Sequence, residues 1–496
     1  MLRILGSPKK LCNQLTRREM LWAGGLSLAG LGMDGVVHAS APAGPATGFG
    51  RAKSCILLYL YGAASQLEWC DMKPDAPAEV RGELQPIRSR LPGADVCELL
   101  PSLAKVMDKV TVVRSLTHKQ PIHGVAYALT GVPQTDVPME LNPRDQRHWP
   151  FIGSVVDYLG RRGKAGQRRR AVPDNLALPF PFSSQRAGEV PRAGPYAAFL
   201  GSVYNPIWTE FAGKASRSVT KTLAQDKQEV WDPYLGVTPA SRFTLGGAGQ
   251  LPGDVTLDRL DQRRSLVAQF EKARRDLNEN ATGQGADRYR ELAYGLLHSE
   301  KIRQALDLGR ESDRLRDTYG MTIFGQAALT ARRLVEAGSR FVSVFWDEYG
   351  LAGSGWDTHW DHYPRMKNEL LPGLDKALAG LIQDLDERGM LDETLVLCVT
   401  EHGRTPKLNS GRSGGRDHWS QAYSGMFAGG GIARGRVVGK TDAHAGTVKD
   451  RPVSPKDVLA TAYHLLGIDL HTELTDRLNR PLPLIPDGAV VPEMLA

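Results

Sequence analysis

The chain has 496 residues, 41% of them apolar and 24% charged, a balance that excludes a disordered or collagen-like polymer. Its formal charge is +7. Without the first 39 residues, 57 basic and 53 acidic side chains remain, a scattered net of +4 that argues against a nucleic-acid partner.

The N-terminus carries Arg17 and Arg18 directly before LWAGGLSLAGLGM, an apolar segment too short to span a bilayer, followed by small residues up to Ala39 and Ala41. Paired arginines ahead of a Gly-rich, modestly apolar stretch read as a Tat-type signal peptide over 1–39. The expectation is export to the periplasm or cell surface, with a flexible linker at 40–50. No other run of 18 apolar residues occurs, so no stable membrane span is expected. Four cysteines remain after the signal, none in metal-type CxxC spacing; Cys55 and Cys398 lie inside apolar runs and read as core residues.

Residues 51–490 read as a single α/β domain. SCILLYLYG (54–62) is a continuous apolar run, the mark of a strand covered on both faces. A helix is expected near 99–108, a second buried strand at 110–116, and a short helix at 123–131 stopped by Gly131. Residues 140–255, rich in Pro, Gly and aromatic residues, read as an irregular insertion. Within it RRGKAGQRRR (161–170) is a dense basic run without interleaved aromatics, read as a solvated loop. Residues 256–317 are charged with helical spacing and predict two helices across the core. A helix at 323–338 leads to a strand at 340–346. A helix at 365–389, broken internally by Pro372-Gly373, leads to the strand TLVLCV (394–399). YSGMFAGGG and GRVVGK read as a further strand pair. A last helix starts with Ser454 as N-cap and Pro455 at its first position. This alternation predicts an α/β/α sandwich with a mostly parallel central sheet.

Ligands of such sheets bind outside the carboxyl ends of the strands. Asp357 and His359 follow one strand, Glu401 and His402 another, and His118 and His123 a third, with His418 on the next loop. Carboxylates and imidazoles so placed are ordinary ligands for a divalent metal such as Zn²⁺ or Mn²⁺. Glu401 and His402 are adjacent, so their side chains diverge and suit two different metals, or one metal and one supporting contact.

DMKPDAPAEVRGELQPI, HGVAYALTG, SGWDTHW, LLPGLDKAL, DLDERGMLDETLVLCVTEHGRTPKLN, GRDHW and AGGGIARGRVVGKTDAHA together resemble the bacterial family called domain of unknown function 1501. That family is similar to the sulfatase and alkaline phosphatase superfamily. The resemblance implies metal-dependent hydrolysis of phosphate or sulfate esters, with Zn, Mn or Ca as the ion and a small-molecule or polysaccharide ester as substrate. It implies one metal held by Asp357, His418 and either His359 or His362, and a second faced by Glu401 and His402. Arg404 and Arg416 would be anion contacts, with pairing to a sheet-edge carboxylate such as Asp417 as the alternative.

Two departures stand out. The first strand ends in Tyr61-Gly62-Ala63-Ala64 where relatives carry a metal-binding Asp, with Glu68 and Asp71 the nearest carboxylates. The nucleophile position of sulfatases falls at Pro121. A metal-activated water, with His118 or His123 carrying the proton, would take the nucleophile's place. The alternative is a catalytically degenerate member that serves as a binding or assembly protein at the cell surface.

Overall fold

The computed structural model describes residues 47–120, 125–133, 137–143, 145, 147–162, 172–187, 192–216, 218–223, 226–232, 236–245, 295, 299–351, 355–411 and 413–496. The signal peptide at 1–39 and most of the linker, Pro121 and His123, the basic run beyond Arg162, and the expected helices before residue 295 lie outside them.

Eight strands build the central sheet: β1 Ser54–Leu60, β2 Val110–Leu116, β3 Asn175–Leu178, β4 Ile207–Trp208, β5 Phe341–Trp346, β6 Thr394–Val399, β7 Tyr423–Ala428 and β8 Arg436–Val438. Their order is β8-β2-β7-β6-β1-β5-β3-β4. Only β7 runs against the rest, antiparallel to both β6 and β2.

Period-two alternation within the apolar runs divides the core. Ile56, Leu58 and Leu60 of β1, with Val344 and Trp346 of β5, face one layer. That layer holds α3 Ile323–Glu336 and α4 Leu371–Glu387. Cys55, Leu57 and Tyr59, with Phe341 and Phe345, face the other. There α1 Val125–Thr130, α2 Ile152–Arg162 and α5 Pro455–Leu465 pack. The result is a three-layer sandwich with a mostly parallel sheet. All four cysteines are buried thiols.

Three readings from sequence change. First, the stretch read as an irregular insertion contributes β3 and β4 to the main sheet, and α2 packs against it. Strands of four and two residues are too short to show a period. Second, the helix near Pro372 is not broken. A turn at His362–Arg365 passes through a π-helical turn, Met366–Leu370, into α4, with Pro372 at its start. The wider turn there accommodates a residue with no N–H to give. Third, β7 and β8 do not pair with each other but flank β2 on either side. Ser454 caps α5 as expected, its hydroxyl accepting from Asp457 N while Asp457 accepts from Ser454 N at 2.9 Å.

Leu58 is fully buried in a central strand. Leu58→Ala should cost about 2–5 kcal/mol through lost burial and a residual cavity, read as a lower midpoint in urea unfolding of the mature chain.

Candidate active site at the carboxyl edge of the sheet

The chain leaves β1, β5 and β6 at one edge of the sheet, and the loops that follow converge. After β1, Gly62 turns with φ +103°. A Cβ there would overlap the backbone nitrogen of Asp357, so glycine is required for the two loops to approach.

Asp357, His359 and His418 each bring one ligand-type atom into a common cluster. His359 Nε2 lies 3.1 Å from Asp357 Oδ1 and 3.0 Å from His418 Nε2, and His418 Nε2 lies 3.4 Å from the same Asp357 oxygen. All three side chains are partly exposed, so the cluster is reachable from outside. On its far side, His359 Nδ1 is 2.7 Å from Asp417 Oδ1. That carboxylate accepts only, so Nδ1 carries a proton and a neutral ring turns its Nε2 lone pair toward Asp357 and His418. Three ligand-type atoms so placed can share a proton or a cation. A proton can serve, and the hydrogen bond to Asp357 raises the His359 pKa despite opposition from burial. A divalent cation fits the same need.

Arg404 is fully buried behind this cluster. Its guanidinium donates to Ala63 O at 3.1 Å, to Arg416 O at 3.0 Å, to Gly62 O and to Asp357 Oδ1. It therefore joins the end of β1 to Asp357 and to the loop before His418. Arg365, half-buried, grips the same loop through Asp357 O at 3.0 Å and Gly355 O.

Glu401 and His402 follow β6 and are wholly buried. Glu401 Oε1 accepts from Gly62 N at 2.8 Å, and Oε2 lies 3.2 Å from Thr400 Oγ1, whose single proton has a nearer acceptor in Leu60 O at 2.8 Å. The backbone turn after β1 thus supplies a donor to Glu401. His402 Nδ1 lies 2.8 Å from Gly403 O, and its ring centroid is 4.6 Å from that of His418.

His118, after β2, has both ring nitrogens on backbone partners: Nε2 at 2.8 Å from Glu401 O and Nδ1 accepting from Gln120 N at 3.0 Å. Burial lowers its pKa. A proton-carrying role would require the ring to leave these partners. His362 is separated from the cluster in its bonding. Its Nδ1 meets Thr358 Oγ1 at 2.7 Å and its Nε2 lies 3.4 Å from Glu68 Oε2, so His359 rather than His362 joins Asp357 and His418.

Glu68 and Asp71, the carboxylates nearest the first strand end, have other engagements. Glu68 pairs with Arg416 Nη2 at 2.6 Å, and Asp71 with Lys73 at 2.8 Å and with Thr441. Arg416 therefore matches the ion-pair reading, with Glu68 rather than Asp417 as its partner. Burial pushes the Glu68 carboxyl up, but Arg416 and then His362 outweigh it and bring its pKa down to about 2. Asp417, Thr358 and Glu68 support the site through partners far away in the chain: the sequence marks Asp417 beside His418 and Glu68 near the first strand end, but not that they meet His359 and Arg416.

A three-layer α/β fold with a carboxylate–imidazole cluster at its strand ends defines the class of protein. Residues 52–495 match the family described as Protein of unknown function (DUF1501), and the chain belongs to that family. Among curated proteins none matches it in sequence. Solved structures resemble it at low identity. The "Ps i-CgsB" structure is 13% identical with a TM-score of 0.37, covering 88% of this chain and 75% of that one. The PsFucS1 sulfatase from Pseudoalteromonas sp. is 12% identical with a TM-score of 0.35, covering 84% and 68%. The phosphonate monoester hydrolase SpPMH from Silicibacter pomeroyi is 11% identical with a TM-score of 0.33, covering 88% and 76%. Likenesses of this size carry no argument about activity. Among the described residues no helix is long and apolar enough to cross a membrane.

Gly62→Ala should disturb both the loop and the cluster. A side chain at positive φ costs on the order of 1–3 kcal/mol before any overlap. Thermal unfolding should show a clear drop in Tm. An unchanged Tm would mean the two loops have room to separate.

Proposed function

We propose that the chain is an exported metal-dependent hydrolase of phosphate or sulfate esters, with one divalent cation held by Asp357, His359 and His418. The observation that carries this reading is the convergence of three ligand-type atoms at 3.0–3.4 Å, one of them oriented by Asp417 from behind. His402 supports the cluster from beneath through its contact with His418, as a further nitrogen donor or as packing. Two imidazoles and a carboxylate suit Zn²⁺ or Mn²⁺ better than Ca²⁺, which prefers oxygen alone.

A divalent ion bound there would polarise an ester oxygen and lower the pKa of an attacking water. The chain's own residues do the rest. Asp417 keeps the Nδ1 proton of His359 and so directs Nε2 inward. Arg404 and Arg365 hold Asp357 in place. Arg404 is engaged with carbonyls and Asp357, which makes it a support of the site more than a free anion contact. His118 and His123 remain proposed proton carriers, His118 only after its backbone bonds open. Glu401 is fully buried with one oxygen taken by the Gly62 amide, which favours one ion over two. The same fact favours, as a second reading, a degenerate member that binds a metal without turning over an ester.

Elemental analysis of the exported protein should find about one Zn or Mn per chain. His418→Ala should lower that content and cut hydrolysis of chromogenic phosphate or sulfate esters by ~10²-fold or more. Activity that survives both His418→Ala and chelation would overturn the mechanism. Metal without turnover across a broad ester panel would favour the degenerate reading.

The export route is part of the proposal. Replacing Arg17 and Arg18 by Lys should leave the precursor in the cytoplasm, because Tat recognition reads the arginine pair. Fractionation followed by immunoblotting checks this. Lys-Lys protein appearing in the periplasm through the general secretory route would refute it.

A further inference from the structure

Glu68 lies in a 3₁₀ turn, Gln66–Glu68, just past the end of β1, with about 1% of its surface exposed. It is not one of the three clustered donors. Yet a carboxylate removed from water is costly unless its oxygens are held. Oε1 accepts from Arg416 Nη2 at 2.6 Å, Arg416 Nε at 3.0 Å and Tyr363 OH at 3.2 Å. Oε2 lies 3.4 Å from His362 Nε2, an ion-pair distance without hydrogen-bond geometry, so the link between them is electrostatic.

The two arms lead to the two segments that carry the donors. On one arm, a carboxylate facing Nε2 keeps the proton of a neutral His362 on that nitrogen. Nδ1 then accepts from the Thr358 hydroxyl, 2.7 Å away. Thr358 sits between Asp357 and His359 and is itself fully buried. On the other arm, Arg416 is held by Glu68 two residues ahead of His418, and its side chain also donates to Thr405 O at 3.1 Å and Val80 O at 2.8 Å. The arms close on each other: Arg416 N donates to Thr358 O at 3.1 Å.

We propose that Glu68 is the positioning residue of the cation site, holding Asp357 and His359 through His362 and Thr358, and His418 through Arg416. This rests on the reading that the three donors bind a metal. Partners that orient ligating residues commonly govern metal affinity by 10–100-fold. Glu68 differs from Asp417 in that it touches no ligand and acts on both donor segments at once.

The test uses the mature chain, stripped with a chelator and titrated with Zn²⁺, with Co²⁺ absorption as a second probe of geometry. Glu68→Gln keeps the shape and removes the charge. Thr358→Val removes only the hydroxyl of one arm and strands no buried charge, so it decides the matter if Glu68→Gln does not fold. The expected result is a Zn²⁺ Kd raised about 10–100-fold in either variant. The stoichiometry should stay unchanged, and the Co²⁺ spectrum should shift. His418→Ala serves as the reference for loss of a ligand. Folded variants with wild-type Kd and an unchanged Co²⁺ spectrum, whatever happens to the apo Tm, would show that Glu68 is purely structural and overturn the proposal. Wild-type protein that binds neither ion would overturn the metal reading itself, and this proposal with it. The two failures are therefore told apart by the wild-type titration alone.

Discussion

A guanidinium sealed under the sheet edge sets the geometry of everything above it. Arg404 has no solvent to fall back on, so its donors must be met inside the protein. It finds them in the carbonyls of Gly62, Ala63 and Arg416 and in the carboxylate of Asp357. These belong to loops that follow different strands. Moving any one loop outward would leave a buried charge short of a partner, a larger penalty than loss of an ordinary surface contact. The position of Asp357 is therefore decided by charge balance within the protein as much as by any ligand it binds.

The same logic repeats along the edge. Glu68 balances Arg416, and Asp347 balances Arg186 at 2.7 Å, with all four side chains nearly inaccessible. Asp347 immediately follows β5, as Glu401 nearly follows β6, so strand-end carboxylates here serve two purposes. Asp347 pairs with Arg186, Glu401 takes the Gly62 amide at one oxygen, and Glu68 is held by Arg416 and Tyr363 at one oxygen. Asp357 is shared between Arg404 and two partly exposed imidazoles.

Much of this was readable from sequence, and the remainder failed for definable reasons. Long apolar runs gave β1, β2, β5 and β6, because burial on both faces demands apolar residues at every position. Residues 400–402, 357–359 and 418 drew attention because ligand-type side chains just after strands have few other reasons to be there. What was hidden was whatever depended on distant partners. Glu68 and Arg416 are 348 residues apart, and Gly62 and Glu401 are 339 apart. No local pattern announces that Glu401 would be met by the backbone N–H of Gly62, or that His118 would spend both ring nitrogens on backbone groups. The Pro372-Gly373 pair misled for the opposite reason. Its local signal was strong, but a π turn upstream and the close packing of Gly373 against Trp346 let the helix continue.

The number of ions the edge can hold follows from these charges. Two catalytic cations would sit ~3.5–4 Å apart and need several carboxylates between them. Here Asp357 already meets the Arg404 guanidinium, and Glu401 is buried with one oxygen on the Gly62 amide. A second divalent ion beside Asp357 would face the Arg404 charge at short range in a poorly solvated place, where repulsion is several-fold stronger than in water. A single ion among Asp357, His359 and His418 would meet the same Arg404 charge across the shared Asp357 Oδ1, but with two imidazole nitrogens to hold it and the negative charge of Asp417 behind His359 to offset it. An edge built this way favours one cation with open coordination over a paired centre, and it does so through a residue, Arg404, that is itself indispensable to the loop arrangement.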